Sequence, residues 1–148
     1  MRASEIGTAR VIHAPATLTL RDAACLMRRQ QVGCLVVVRE DDSMPVPVGI
    51  VTDRDLVTEA IAASRDLDST TLGQMMSAPL ATCRADATLA EVVGILRGSG
   101  VRRLPLVDGD GSLVGVVSTD DVLVAITELL GRLSEAMMIE PLLARSYT

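Results

Sequence analysis

The sequence predicts an α/β fold of the α+β kind: two copies of one small unit, packed through their sheets as a pseudo-twofold pair. Three observations predict it. The chain of 148 residues contains an internal repeat. Within each copy, apolar residues recur first at helical and then at strand spacing. Each copy, at about 60 residues, is small for a solitary stable domain, so the two are expected to bury their sheet faces against each other.

The repeat is read directly. Thr19-Leu20-Arg21-Asp22-Ala23-Ala24-Cys25-Leu26-Met27-Arg28 aligns with Thr88-Leu89-Ala90-Glu91-Val92-Val93-Gly94-Ile95-Leu96-Arg97. Thr, Leu and the closing Arg coincide, and Asp22 falls on Glu91. At the same spacing, Val32 to Val38 falls on Val101 to Val107. Val48 to Leu56 then falls on Val114 to Val122, and the spacing drops from 69 residues (Leu20 to Leu89) to 66 (Gly49 to Gly115). The first copy therefore holds three extra residues, in an Asp, Ser and Pro cluster at Asp41 to Pro47 that suits an exposed turn.

Each copy reads helix, strand, strand, helix. Leu20, Ala23, Ala24 and Met27 share one helical face, as do Leu89, Val92, Val93 and Leu96. Thr19 and Thr88 suit the N-cap, with Asp22 and Glu91 three residues on. Leu35 to Val38 and Leu104 to Val107 read as buried strands. Asp108-Gly109-Asp110-Gly111 turns the second into a hairpin. Val48 to Val51 and Leu113 to Val117 are the return strands, and Asp53 to Ala63 and Thr119 to Leu133 are helical. A short capped helix is expected at Asp68 to Met76, ahead of Pro79, with a parallel piece at Ala3 to Ile6 opening the first copy. After Leu133 helix persists through Ile139, and Pro141 limits it. The division is 1–68, 69–133 and a helix end with tail at 134–148.

Composition narrows the function classes. Hydrophobic residues make up 49%, with one Tyr and neither Phe nor Trp, so the core and any grip on a planar ligand must be aliphatic. Net charge is -5, which gives no general attraction to nucleic acid or anionic lipid. Every basic residue is Arg, so a phosphate contact would come from Arg or from backbone N–H groups. Cys25, Cys34 and Cys83 lack CxxC spacing, which with no secretory leader points to a reducing cytoplasm. No apolar run reaches the ~18–20 residues of a membrane helix. His13 is the single histidine and has no partners at ligand spacing; a surface or rim residue is expected, and no metal site. Met137 and Met138 suit packing of the last helix or a partner face.

Gly49-Ile50-Val51-Thr52-Asp53-Arg54-Asp55-Leu56 and Gly115-Val116-Val117-Ser118-Thr119-Asp120-Asp121-Val122 resemble the G-h-h-[TS]-x-x-D motif of CBS domains, where h is hydrophobic. Val101 to Asp108 resembles the family's second strand, and Met75-Met76-Ser77 the linker ahead of a second copy. The resemblance runs from about Ile6 to Leu130 and implies a β-α-β-β-α order in each repeat. It also implies a ribose-binding carboxylate at Asp55 and Asp121, and a hydroxyl at Thr52 and Ser118. Physically, a carboxylate is an acceptor-only group suited to a ribose diol, and a helix N-terminus suits a phosphate. The same residues are also good helix caps, a role that needs no ligand.

The two copies differ. Val101, Arg102, Arg103, Leu104 and Pro105 fit the base-pocket strand, although Arg102 replaces an apolar residue; around Leu35 the first copy lacks the Pro. Arg54 precedes the first carboxylate and suits a phosphate, as do Arg102 and Arg103 if they are not merely a solvated edge. Asp120 precedes the second carboxylate and would repel one. Ile12 or His13, and Thr82 or Cys83, are expected at the rims. The resemblance implies a non-catalytic regulatory module that senses AMP, ADP, ATP or S-adenosylmethionine between the repeats, with no required cofactor. It implies a flat homodimer through Val57, Ile61, Val124 and Ile126. The alternative is a scaffold that acts without ligand on a partner enzyme or transporter. Enzymes such as the dehydrogenase acting on inosine monophosphate carry such pairs as appendages, but this chain has no room for a catalytic domain.

Overall fold

The computed structural model describes residues 1–39, 44–77 and 80–144, with side chains through 139. Its elements are α1 (Ala3–Ile6), β1 (His13–Pro15), α2 (Leu20–Gln30), β2 (Cys34–Arg39), β3 (Val46–Thr52) and α3 (Asp53–Asp55), which continues as a π-helix over Leu56–Ile61. The second half repeats them as α4 (Leu72–Met75), β4 (Cys83–Arg84), α5 (Leu89–Ser99), β5 (Arg103–Val107), β6 (Leu113–Ser118) and α6 (Thr119–Ala144). Each half thus has the β-α-β-β-α order, with a short helix in front.

Local chemistry explains the helix starts. Thr19 and Thr88 accept from the backbone N–H of Asp22 (3.2 Å) and Glu91 (3.3 Å), and Glu91 returns the bond by accepting from the Thr88 N–H at 2.7 Å. Such a cap stabilises a helix by about 1 kcal/mol. Helix α5 ends on Gly100 at φ 66, whereas α2 ends on Gln31 at φ 53, a left-handed conformation that costs a non-glycine residue more. The Asp108 carboxylate closes the β5–β6 turn by accepting from the N–H groups of Asp110 (3.0 Å) and Ser112 (2.9 Å).

The sheets repeat in register. Strands run β1-β2-β3 and β4-β5-β6, with the first pair parallel and the second antiparallel in both. Cys34 pairs with Thr52 and Arg103 with Ser118, and a bulge falls at Val37/Val38 in one sheet and at Leu106/Val107 in the other. Both spacings of the sequence repeat are therefore physical.

Alternation along β2 sends its residues to two places. Leu35 and Val37 join Leu20, Ala23, Met27 and Leu56 in the core of the first repeat. Val36 and Val38 face the other way and meet Leu113 of the second repeat and Val11. The Leu113 N–H also donates to the Pro45 carbonyl at 2.8 Å, so the repeats are stitched by backbone as well as apolar contact.

The short helices are exchanged. Ala3 is buried in the core of the second repeat with Cys83, Val92 and Leu104. Its N–H donates to the Ala87 carbonyl at 2.8 Å. Leu72 is buried in the first repeat's core, and its N–H donates to Leu18 at 2.9 Å. The piece expected to open the first copy thus completes the second, and α4 completes the first. The chain after α1 follows β6, where Thr8 and Val116 exchange two backbone bonds of 2.9 Å.

Three sequence expectations change. The return strands run longer than Val48 to Val51 and Leu113 to Val117. The segment after Asp55 winds as a π-helix. Helix α6 also passes Pro141 and ends at Ala144, because a proline there forfeits only the backbone bond to the Met137 carbonyl in the final turns. Of the turn expected at Asp41 to Pro47, 41–43 lie outside the described residues, as does Pro79, while Val46 and Pro47 belong to β3 and pair with Arg39 and Val38.

A Cβ at Gly115 would lie 2.7 Å from the Thr8 carbonyl oxygen. Gly115→Ala is expected to push this strand away from the linker and cost about 1–3 kcal/mol, read as a lower Tm by calorimetry. A Cβ at Gly94, within α5, meets nothing within 4 Å, and Gly94→Ala is expected to raise stability by up to about 1 kcal/mol. Leu72→Ala should cost about 2–5 kcal/mol in urea unfolding, although Leu72 lies outside the repeat it supports.

Candidate functional site

The end of β3 builds one wall of a cleft. Thr52 caps α3 and accepts from the Asp55 N–H at 3.1 Å, while Asp55 Oδ2 accepts from the Thr52 N–H at 2.8 Å. The reciprocal pair fixes both side chains at the strand-to-helix junction. Asp53 donates its N–H to the Gly33 carbonyl at 3.0 Å, and its Oδ1 accepts from the Arg54 N–H at 2.8 Å. All three first-turn amides are therefore engaged. The helix start expected to hold a phosphate offers it no free N–H, and charge for a phosphate must come from side chains.

Those side chains come from both repeats. Helix α5 stops at Gly100, and the chain turns through Val101 and Arg102 into β5 at Arg103. This places Val101, Arg102 and Arg103 across from Thr52, Arg54 and Asp55 in a cleft of about 430 Å³. Ile50, Asp53 and Ser77 complete the lining. Among the described residues, the guanidiniums of Arg54, Arg102 and Arg103 take part in none of the ion pairs, while Arg21 pairs with Asp68 and Arg84 with Asp86. Asp55 Oδ1 is likewise without a hydrogen bond, so the carboxylate can accept more. Cys34 lies near Arg103 and Asp53. Burial pushes its thiol above the ordinary range, Asp53 adds to that, and Arg103 opposes it.

The second motif has the same local geometry in different surroundings. Asp121 Oδ2 accepts from the Ser118 N–H and hydroxyl, both at 2.7 Å, and Ser118 Oγ accepts from the Asp121 N–H at 3.2 Å. Asp121 borders a smaller cavity of about 190 Å³ beside Met1, Glu5, Ile6 and Glu128. It does not share the Thr52 cleft.

Six of the sequence-nominated residues thus meet in one place: Thr52, Arg54, Asp55, Val101, Arg102 and Arg103. Ser118 and Asp121 lie apart, and Thr82, just ahead of β4, is not part of this lining. Leu35 and Leu104 do not reach the cleft. Both are fully buried in the core of their own repeat, one residue out of phase with the intersheet face. Pro105 alternates with Leu104, so it faces opposite to the core of its own repeat, and it is fully buried. Sequence reasoning missed Ile50, Asp53 and Ser77. Strand alternation marks Ile50 as opposite to the core residue Val51, whereas Ser77 enters through the linker exchange, which no local pattern announces.

Among the described residues no group of three or more His, Cys, Asp or Glu could hold a metal ion, and no helix is long and apolar enough to cross a membrane. What the cleft can do chemically is accept from hydroxyls at Asp55 and donate to anionic oxygens from the three arginines.

The CBS domain family model matches residues 3–62 and 72–128. An uncharacterized protein of Methanopyrus kandleri is 34% identical over 133 residues, 90% of this chain and 66% of that one. Hypoxic response protein 1 of Mycobacterium tuberculosis is 32% identical over 104 residues, 70% of each chain. The chain thus spans just under two thirds of the first relative's length and slightly more of the second's. Among solved structures, a CBS domain protein from Pyrobaculum aerophilum complexed with AMP superposes with a TM-score of 0.74 at 25% identity, over 86% of this chain and 99% of that one. With both halves matched by the model and the same strand order, register and bulge in each, the chain belongs to the CBS domain family as a tandem pair.

Proposed function

We propose that this chain is a non-catalytic regulatory module that binds an adenine nucleotide or related adenosyl ligand in the cleft between its repeats. The carrying observation is the juxtaposition of a hydroxyl and carboxylate from one repeat with two arginines from the other. Asp55 accepts from the ribose diol, and Thr52, Arg54, Arg102 and Arg103 surround the phosphate. The base packs on aliphatic side chains such as Ile50 and Val101, since the chain holds a single aromatic residue. The AMP complex of the P. aerophilum relative supports the ligand class.

A ligand held by both repeats favours whichever arrangement fits it better, by the difference in its affinities for the two. The outer helix faces offer a surface to carry that change. Val57, Ile61, Val124 and Ile126 are exposed, at 56%, 63%, 59% and 38%. A homodimer through these faces would bury them, and the reading takes the functional unit to be that dimer.

Thermal shift and calorimetry with AMP, ADP, ATP and S-adenosylmethionine test the proposal. At least one should raise the Tm, by about 2.7 kcal/mol of stabilisation at a hundred times its Kd. Asp55→Ala should weaken that ligand tenfold or more while the circular dichroism spectrum stays folded. A folded dimer that none of the four stabilises would favour the ligand-independent scaffold instead.

A further inference from the structure

Helix α6 outlasts the fold it starts from. Val122 and Ala125 are buried, and every residue from Ile126 through Ile139 is exposed. No side of this arm is covered, and an uncovered helix of that length is marginal in water. Gly131 weakens it further. The family match ends at residue 128, so most of the arm lies beyond it. The arm carries a pattern. Leu123, Ile126, Leu130, Leu133 and Met137 follow one another at three, four, three and four residues, which lines them up as a seam with a seven-residue repeat. All five are exposed. Thr127, Leu129, Ser134 and Ala136 flank the seam and carry no charge, while Glu128, Arg132 and Glu135 fall on the opposite side of the helix.

We infer that this arm pairs with the same arm of a second copy of the chain, seam to seam, as a short coiled coil. The inference rests on the homodimer proposed above and extends it past the repeats. Two identical helices bring each flanking charge against its own kind, so self-pairing requires flanks without charge, and these have none. A different coiled-coil partner would be selected by charges at those positions. A lipid surface favours a helix with a basic polar face, whereas this one sets two carboxylates against one guanidinium. Five seam side chains at roughly 100 Å² each cover about 500 Å² per chain. That is below the roughly 800 Å² per partner of a stable interface. Ile126 belongs both to the seam and to the proposed dimer face, so the two surfaces are continuous. The seam therefore adds to that face instead of holding two chains alone.

Sedimentation velocity and hydrogen exchange of the intact chain over a dilution series test this. The expected result is a dimer in which the amides of residues 129–139 are protected, a protection lost as dilution separates the chains. Leu130→Glu with Leu133→Glu should raise the dissociation constant tenfold or more, with exchange in β2 and β5 unchanged. Ile139→Glu, on the far side of the arm, should change it less than twofold. A dimer whose 129–139 amides exchange freely overturns the arm pairing and leaves the proposed dimer standing. So does a Leu130 and Leu133 variant that associates as tightly as the wild type, or an Ile139→Glu effect of equal size. A chain that is monomeric at every concentration overturns both. The exchange readout stands without any variant.

Discussion

A three-stranded sheet has two faces, and a repeat of this size has helices for one. That shortage governs the molecule. In the first repeat, Leu35 and Val37 are covered by α2 and the helical turn after Asp55, while Val36 and Val38 are buried only because Leu113 and Val11 lie over them. The exchange of α1 and α4 has the same origin. Each short helix plugs the end of the sheet that its own repeat does not supply. Neither repeat can then close its core alone, so folding of the two halves is coupled.

The exchange explains the motif glycines. A Cβ at Gly115 would strike the Thr8 carbonyl, and one at Gly49 would strike the Met76 side chain. Thr8 and Met76 belong to the stretches that cross from one repeat to the other. A strand that must admit a passing chain has no space for a side chain at that point, which is a packing reason for each glycine independent of any ligand. The same crossing puts Ser77 at the lip of the cleft and holds Val101 to Arg103 against Thr52 to Asp55. The site is a by-product of how the sheets are covered.

What the sequence made legible follows from locality. Caps, turns and strand alternation depend on neighbours within a few residues, so Thr19, Thr88, Thr52, Ser118 and the Asp108 turn read correctly, and the two spacings of the repeat recur as register. The partner of a short amphipathic helix is not local. Ala3 and Leu72 carry the same apolar signal whichever sheet they cover. Leu35 and Leu104 lie one residue out of phase with the intersheet face; on β2 the neighbours Cys34 and Val36 are apolar too, and a strand buried on both faces hides its phase. Thr52, Arg54, Asp55, Arg102 and Arg103 were legible because charge and hydroxyl chemistry stand out against an aliphatic background, as Ile50 does not.

Asp55 joins the cleft to the rest of the fold. One of its oxygens caps the helix that carries Val57 and Ile61, and the residue lines the same cleft as Arg54, Arg102 and Arg103. On the proposed function, a ribose that draws the carboxylate competes with the cap for the same group. The cap is worth about 1 kcal/mol, comparable with a single hydrogen bond to a charged acceptor, so neither partner dominates. On that reading the seat of the helix, and with it the exposed face of Val57 and Ile61, would follow occupancy of the cleft. In the second repeat Asp121 Oδ2 is held by both the backbone and the hydroxyl of Ser118, each at 2.7 Å, and Asp120 stands beside it.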